Sequence, residues 1–212
     1  MDELDLLKKD WKKRSADYPQ VSYNEIYKMI HKKSSSIVKW IFIISIAELL
    51  FWTLIDFLAP ESVYKIYEKF NLNSLLYISL TVNYVITILF IYLFYKNYKS
   101  ICIADDTSLL MKKIIKTRKT VNYYVFYNIA LYIIILIVFN IVMFSKPDIL
   151  IEFMNPNNKP IDNDKLLLIT LILQIVFGVL MLGVIWLYYR IIYGILLRRL
   201  TKNYKELENM EF

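Results

Sequence analysis

Two carboxylates, Glu48 and Asp56, lie inside the apolar run KWIFIISIAELLFWTLIDFLAP at residues 39–60. A run of that length reads as a transmembrane helix, and a charged acid at the centre of one costs about 2.5–3.5 kcal/mol on insertion scales. Two chemistries would justify that cost: a polar clasp between helices, or a proton- or cation-coupled site. At 1.5 Å per residue Glu48 lies about 15 Å from the outer end of its run, near the midplane. By the same count Asn83 and Gln174 lie about 12–13 Å below the outer ends of two other runs. Asp56, Ser79, Asn140 and Thr170 form a shallower set, within about 6 Å of the outer boundary. Ser79, Asn83 and Thr87 step by four, as do Thr170, Gln174 and Gly178. Each series makes one stripe, which should face other helices because lipid cannot hydrogen-bond it.

No basic residue lies deep enough to pair with Glu48, since Lys39 sits at the inner edge and can snorkel to water. A proton or a mobile cation is then the available route to neutrality. Protonated, Glu48 would donate to Asn83 or Gln174. Glu48, Asn83, Gln174, Asp56 and Asn140 therefore make up a candidate intramembrane cluster. Its preferred reading is a clasp, with each bond giving about 0.5–2 kcal/mol. The coupled site is the alternative, and Asp56, near water, is read as structural.

Other chemistries find little here. Cys102 is the only cysteine and His31 the only histidine, which excludes an internal disulfide and any site needing several such ligands. The pair Asp105–Asp106 reads as a helix cap, because the further acids of a Mg²⁺ site do not follow it. No Ser/His or Cys/His arrangement, Gly-rich phosphate loop or acid pair at metal spacing occurs. A non-enzyme with no catalytic, metal or cofactor-binding residues, and no cofactor, is expected.

The elements that would hold these residues are helices. The 212 residues are 58% hydrophobic, against roughly 45–50% in ordinary globular chains, with three glycines and five prolines. Mean hydropathy is +0.42. Crossing about 30 Å of hydrocarbon takes roughly 20 apolar residues, and four segments qualify, at about 38–59, 75–95, 122–144 and 166–188. Pro60 and Pro147 follow the first and third, where a helix should stop. Of the 26 Lys and Arg, 21 fall up to Lys39, in 96–119, or from Arg190 onward. The excess of positive charge places both termini and the 96–121 connection in the cytoplasm. Trp40, Tyr95, Tyr98, Tyr123, Tyr124, Trp186, Tyr188 and Tyr189 fall at the same inner edge and read as an aromatic belt. The mostly polar first 35 residues do not resemble a cleavable signal.

The fold expected is an all-α polytopic membrane protein, a four-helix bundle with cytoplasmic helical extensions. Residues 22–190 form the transmembrane domain, 1–20 an amphipathic helix and 191–212 a C-terminal helix. In 1–20, Leu4, Leu7 and Trp11 share a face, suited equally to the membrane surface or to a docking partner. Ser22 and Glu25 spell a capping box, with Val21 and Ile26 spaced as a staple. The first long helix should then start near Tyr23, with Ser34, Ser35 and Ser36 as the one weak spot; His31 on this stem reads as a surface residue. Leu110, Ile114 and Val121 fall near one face of the middle connection, and Leu196, Leu200, Tyr204 and Leu207 line the C-terminal helix. Each extension is too short for a core of its own, so they should pack on each other or on a partner. The two hairpins align weakly with each other at offsets of 83 and 91 residues, as a duplication would.

The runs DELDLLKKDWKK, SYNEIYKMIHKKSSSIVKWIF, TRKTVNYY and LLRRLTKNYKEL resemble an uncharacterised family of Bacteroidota, mainly flavobacterial, inner-membrane proteins, with a likeness over nearly the whole chain. The resemblance implies a four-span protein of no established activity and supplies no functional residues. Some such proteins carry a carotene-oxygenase label, which a single histidine outside the membrane does not support. An interaction or regulatory scaffold of the bacterial inner membrane is the preferred reading, with an anti-sigma-like anchor as one form of it. A small proton- or cation-coupled transporter around Glu48 is the alternative. The expected partners are the lipid bilayer and either a cytoplasmic protein or a second copy of the chain. The basic residues lie beside spans without a recognition motif, so nucleic acid is not expected.

Overall fold

The computed structural model describes residues 22–104, 106–155, 160 and 162–211, and every element among them is helical. Helix α1 covers Tyr23–Phe57, α2 Glu61–Lys69, α3 Asn73–Cys102, α4 Thr107–Phe144, α5 Pro147–Met154 and α6 Asn163–Glu211. The expected helix at 1–20, with Leu4, Leu7 and Trp11, lies outside the described residues, as do Val21 and Asp105.

Helix α1 starts where its capping box directs. Ser22 Oγ accepts from the Glu25 amide at 3.3 Å, and the Ser22 amide donates to Glu25 Oε2 at 2.9 Å, so two otherwise orphaned amides are satisfied. The helix then runs unbroken for 35 residues, through Ser34, Ser35 and Ser36. The expected weak spot is a contact instead: Ser34 is buried, and its Oγ accepts from Asn203 Nδ2 at 2.9 Å. Helix α4 departs from expectation in detail. Asp106 takes the N-cap position in extended conformation, but its side chain makes no capping bond.

The four long helices close into a ring. Helix α1 packs on α3, α3 on α4, α4 on α6, and α6 returns to α1, with a lighter α1–α4 contact across the middle. All four are long and apolar enough to cross a membrane. Phe126, Phe177 and Leu180 point outward from them, an apolar exterior that suits lipid rather than water. Gly178 lets α6 approach α4 closely: a Cβ there would lie 2.8 Å from Leu136 Cδ2, and Tyr132 Oη donates to the Gly178 carbonyl at 3.1 Å.

Packing falls into three tiers. At one end the helix extensions pack on each other through Ile30, Ile101, Leu110, Ile114, Leu200 and Leu207, a head with its own apolar core. Mid-bundle, Ile41, Phe94, Val121, Tyr124, Tyr189 and Tyr193 form the second tier. At the far end the short helices α2 and α5, absent from the sequence reading, contribute to a third around Phe70, Leu72, Met143 and Leu150. Pro147 opens α5 in its first turn, where the missing amide hydrogen is not needed. Asn71, with φ 55°, turns the chain from α2 into α3 in the left-handed region that Asn tolerates.

Leu200 is fully buried in the head, whereas Leu180 is 60% exposed on the outside of the bundle. Leu200→Ala is expected to cost about 2–5 kcal/mol. Leu180→Ala should leave the thermal midpoint of the detergent-solubilised chain nearly unchanged. Equal shifts would contradict a packed head.

Candidate functional site

Ile30, Ser34, Val38, Ile41, Ser45 and Glu48 are the buried residues of α1, spaced three and four apart along one face. Glu48 therefore enters the bundle on the same stripe as the core. Opposite it, α6 presents Tyr189 and Tyr193, one turn apart. Tyr189 Oη donates to Glu48 Oε1 at 2.8 Å and Tyr193 Oη donates to Oε2 at 2.9 Å, one hydroxyl to each carboxyl oxygen. All three side chains are buried, with Glu48 5% exposed.

An aromatic surround closes the site. The Tyr124 ring of α4 meets Tyr189 at 6.1 Å and Tyr193 at 5.8 Å in edge-to-face geometry, and Phe94 and Phe90 of α3 at 5.5 and 5.2 Å. Such pairs contribute about 0.5–1.5 kcal/mol beyond their buried area. All four long helices thus meet around one carboxyl group. A buried hydrogen bond is worth about 0.5–1.5 kcal/mol net, so the two tyrosine donors offset part of the insertion cost of the acid without any basic partner.

The carboxyl is therefore an acceptor for tyrosines, and not the expected donor to Asn83 or Gln174. Gln174 Nε2 contacts Met143 Sδ at 3.7 Å, and Asn140 Nδ2 donates to the Leu136 carbonyl of its own helix. Among the described residues the side-chain oxygens of Asn83, Asn140 and Gln174 are buried without a hydrogen-bond partner. Ser79 and Thr170 likewise bond back to their own helices. Asp56 bonds to tyrosines as well: its Oδ2 accepts from Tyr84 Oη at 2.7 Å, and its carbonyl accepts from Tyr64 Oη at 3.0 Å.

The mismatch has a geometric cause. Counting depth from span ends assumes that the ends are level. Ser34 stands opposite Asn203 and Glu48 opposite Tyr189, fourteen residues on in α1 and fourteen back in α6. That register sets Val38 level with Arg199, eleven residues beyond the expected end of the fourth span at 188. The intervening IIYGILL (191–197) is itself apolar, and Arg190 stacks its guanidinium over the Trp186 ring at 4.7 Å. Side-chain direction adds to the offset. Glu48 leans toward the start of α1, and the tyrosines lean toward the start of the antiparallel α6.

His31 is also more than a surface residue. Its Nε2 lies 2.8 Å from the Ile101 carbonyl, to which it can only donate, tying α1 to the end of α3. No group of three or more metal-ligating side chains occurs among the described residues. The cluster joins α1 to α6 by hydrogen bonds and α6 to α4 by ring contacts.

Residues 24–212 match a family described as a Domain of unknown function (DUF8845). No curated protein and no solved structure matches the chain.

Tyr193→Phe is expected to cost about 1–3 kcal/mol in unfolding free energy, the loss of one buried bond to a carboxyl. In a Glu48→Ala background the same change should cost close to nothing. An equal cost in both backgrounds would show that the hydroxyl and the carboxyl are not coupled.

Proposed function

The chain belongs to this DUF8845 family, and we propose that it is a non-enzymatic protein of a bacterial inner membrane that presents its helical head to a cytoplasmic partner. The observation that carries this reading is the head itself. Its apolar core draws on α1, α3, α4 and α6, each continuous with an apolar segment long enough to span a membrane. A head built this way moves with the bundle, as a platform fixed to the bilayer would. It also carries most of the Lys and Arg among the described residues, which supports placing it in the cytoplasm. Ile103, Leu109 and Ile115 are exposed apolar residues on it, available for contact.

A transport role would centre on Glu48. The low exposure of that carboxyl and its two tyrosine donors weigh against a hydrated path to it.

Two measurements test the proposal. Cys102, the sole cysteine, is exposed in the head. A membrane-impermeant maleimide should leave it unlabelled in intact spheroplasts and label it after lysis; labelling of intact spheroplasts would reverse the orientation. With the full chain as bait, a soluble protein should be retained by the wild type and lost from Ile103→Glu/Leu109→Glu. Retention of no soluble protein by the wild type would remove the platform role.

A further inference from the structure

The head carries a groove of about 560 Å³ between the extensions of α1 and α6. Lys32 and Lys33 line it from α1, and Arg199 and Lys202 from α6. Glu206 is the one acid in the lining, and it lies 3.9 Å from Lys202. Among the described residues no carboxylate pairs with Lys32, Lys33 or Arg199. Four like charges converging on one concave surface favour an anion there, and the Ser36 hydroxyl adds a neutral donor.

The position of the groove narrows the kind of anion. On α1 the stripe that lines it continues past Ile37 into Trp40, 56% exposed, and Ile43. On α6 the matching stripe runs from Arg199 back to the exposed Ile195 and Ile191. The basic groove therefore opens onto apolar outer surface on both helices, and Arg199 is the second residue after the apolar 191–197 run. A free anion would use only the basic half. A molecule joining a phosphate to acyl chains matches both halves at once.

We propose that this groove binds the phosphate headgroup of an anionic phospholipid, with the acyl chains lying along Trp40 and Ile43 on one side and Ile191 and Ile195 on the other. The site is independent of any protein partner and requires only that the apolar belt be in a bilayer.

The full chain, purified in a neutral detergent, is titrated with phosphatidylglycerol while its thermal midpoint is followed. Phosphatidylcholine is the uncharged-lipid arm, and inorganic phosphate and pyrophosphate are the soluble arms. Phosphatidylglycerol should raise the midpoint at concentrations where the other three do not. Each basic residue near an anionic lipid contributes on the order of fivefold in affinity. Lys32→Gln/Arg199→Gln/Lys202→Gln, all exposed positions, should therefore weaken the titration at least about tenfold. Lys112→Gln/Lys116→Gln/Lys119→Gln removes the same charge elsewhere on the head and should not. Glu206→Gln, which removes the acid of the groove, should tighten binding. Equal loss in the two triple variants would reduce the effect to diffuse surface charge. Stabilisation by phosphate or pyrophosphate alone would assign the groove to a soluble anion, and an equal response to phosphatidylcholine would remove headgroup selection altogether. Each of these three results overturns the proposal.

Discussion

Inside hydrocarbon a polar side chain must find its partner within the protein, because no water is there to serve. For Glu48 that partner is a pair of tyrosine hydroxyls on α6. The place of this bond in the ring is what gives it weight. Helices α1 and α3, α3 and α4, and α4 and α6 are successive long helices, held as neighbours partly by the chain between them. Contact between α6 and α1 has no such help. The bonds from Glu48 to Tyr189 and Tyr193, with the one from Asn203 to Ser34, lie on that closing seam. They also fix its register, since a shift of one residue on either helix would separate a carboxyl from its donors.

The two ends of the molecule follow different rules. At the far end α2 and α5 fold back as short helices over Phe70, Met143 and Leu150. Lys69 and Glu152 meet there in an exposed pair at 3.3 Å, worth about 0–1 kcal/mol and so not what holds that end together. At the head, by contrast, the long helices simply continue. Their outward faces are basic and their inward faces aliphatic, and the inward faces meet in one core. Tyr27 Oη donates to the Ala104 carbonyl and His31 Nε2 to the Ile101 carbonyl, which also accepts from the Ala104 amide, so both side chains tie α1 to the C-terminal end of α3. The head is thus a structured extension of the bundle, with a basic groove on the side where α1 meets α6.

Much of this was legible in the sequence, for identifiable reasons. Apolar runs of spanning length with few breakers could only be helices, and the capping box at Ser22 and Glu25 located the start of α1. The stripes Leu110–Ile114–Val121 and Leu200–Leu207 marked inward faces that the structure buries. The partners of Glu48 were not legible. Tyrosine suits a membrane interface and a buried bond equally well, so Tyr189 read as part of an aromatic belt. Counting from the ends of apolar runs put Glu48 level with Asn83 and Gln174, since the apolar residues beyond Arg190 hid the true register of α6. A carboxyl without a basic partner, facing two tyrosines one turn apart on a single helix, was the signal available. The short helices α2 and α5 carry too few residues for periodicity to reveal them.

The central claim is that Glu48 is held in the bundle as a clasp on the α1–α6 seam. Its most direct test compares the unfolding free energies of Glu48→Gln and Glu48→Leu in the full chain reconstituted in lipid. Gln can accept from one tyrosine and donate to the other, so it should stay within about 1 kcal/mol of the wild type. Leu strands two buried hydroxyls and should cost about 2 kcal/mol or more. A Leu variant as stable as the wild type would contradict the clasp.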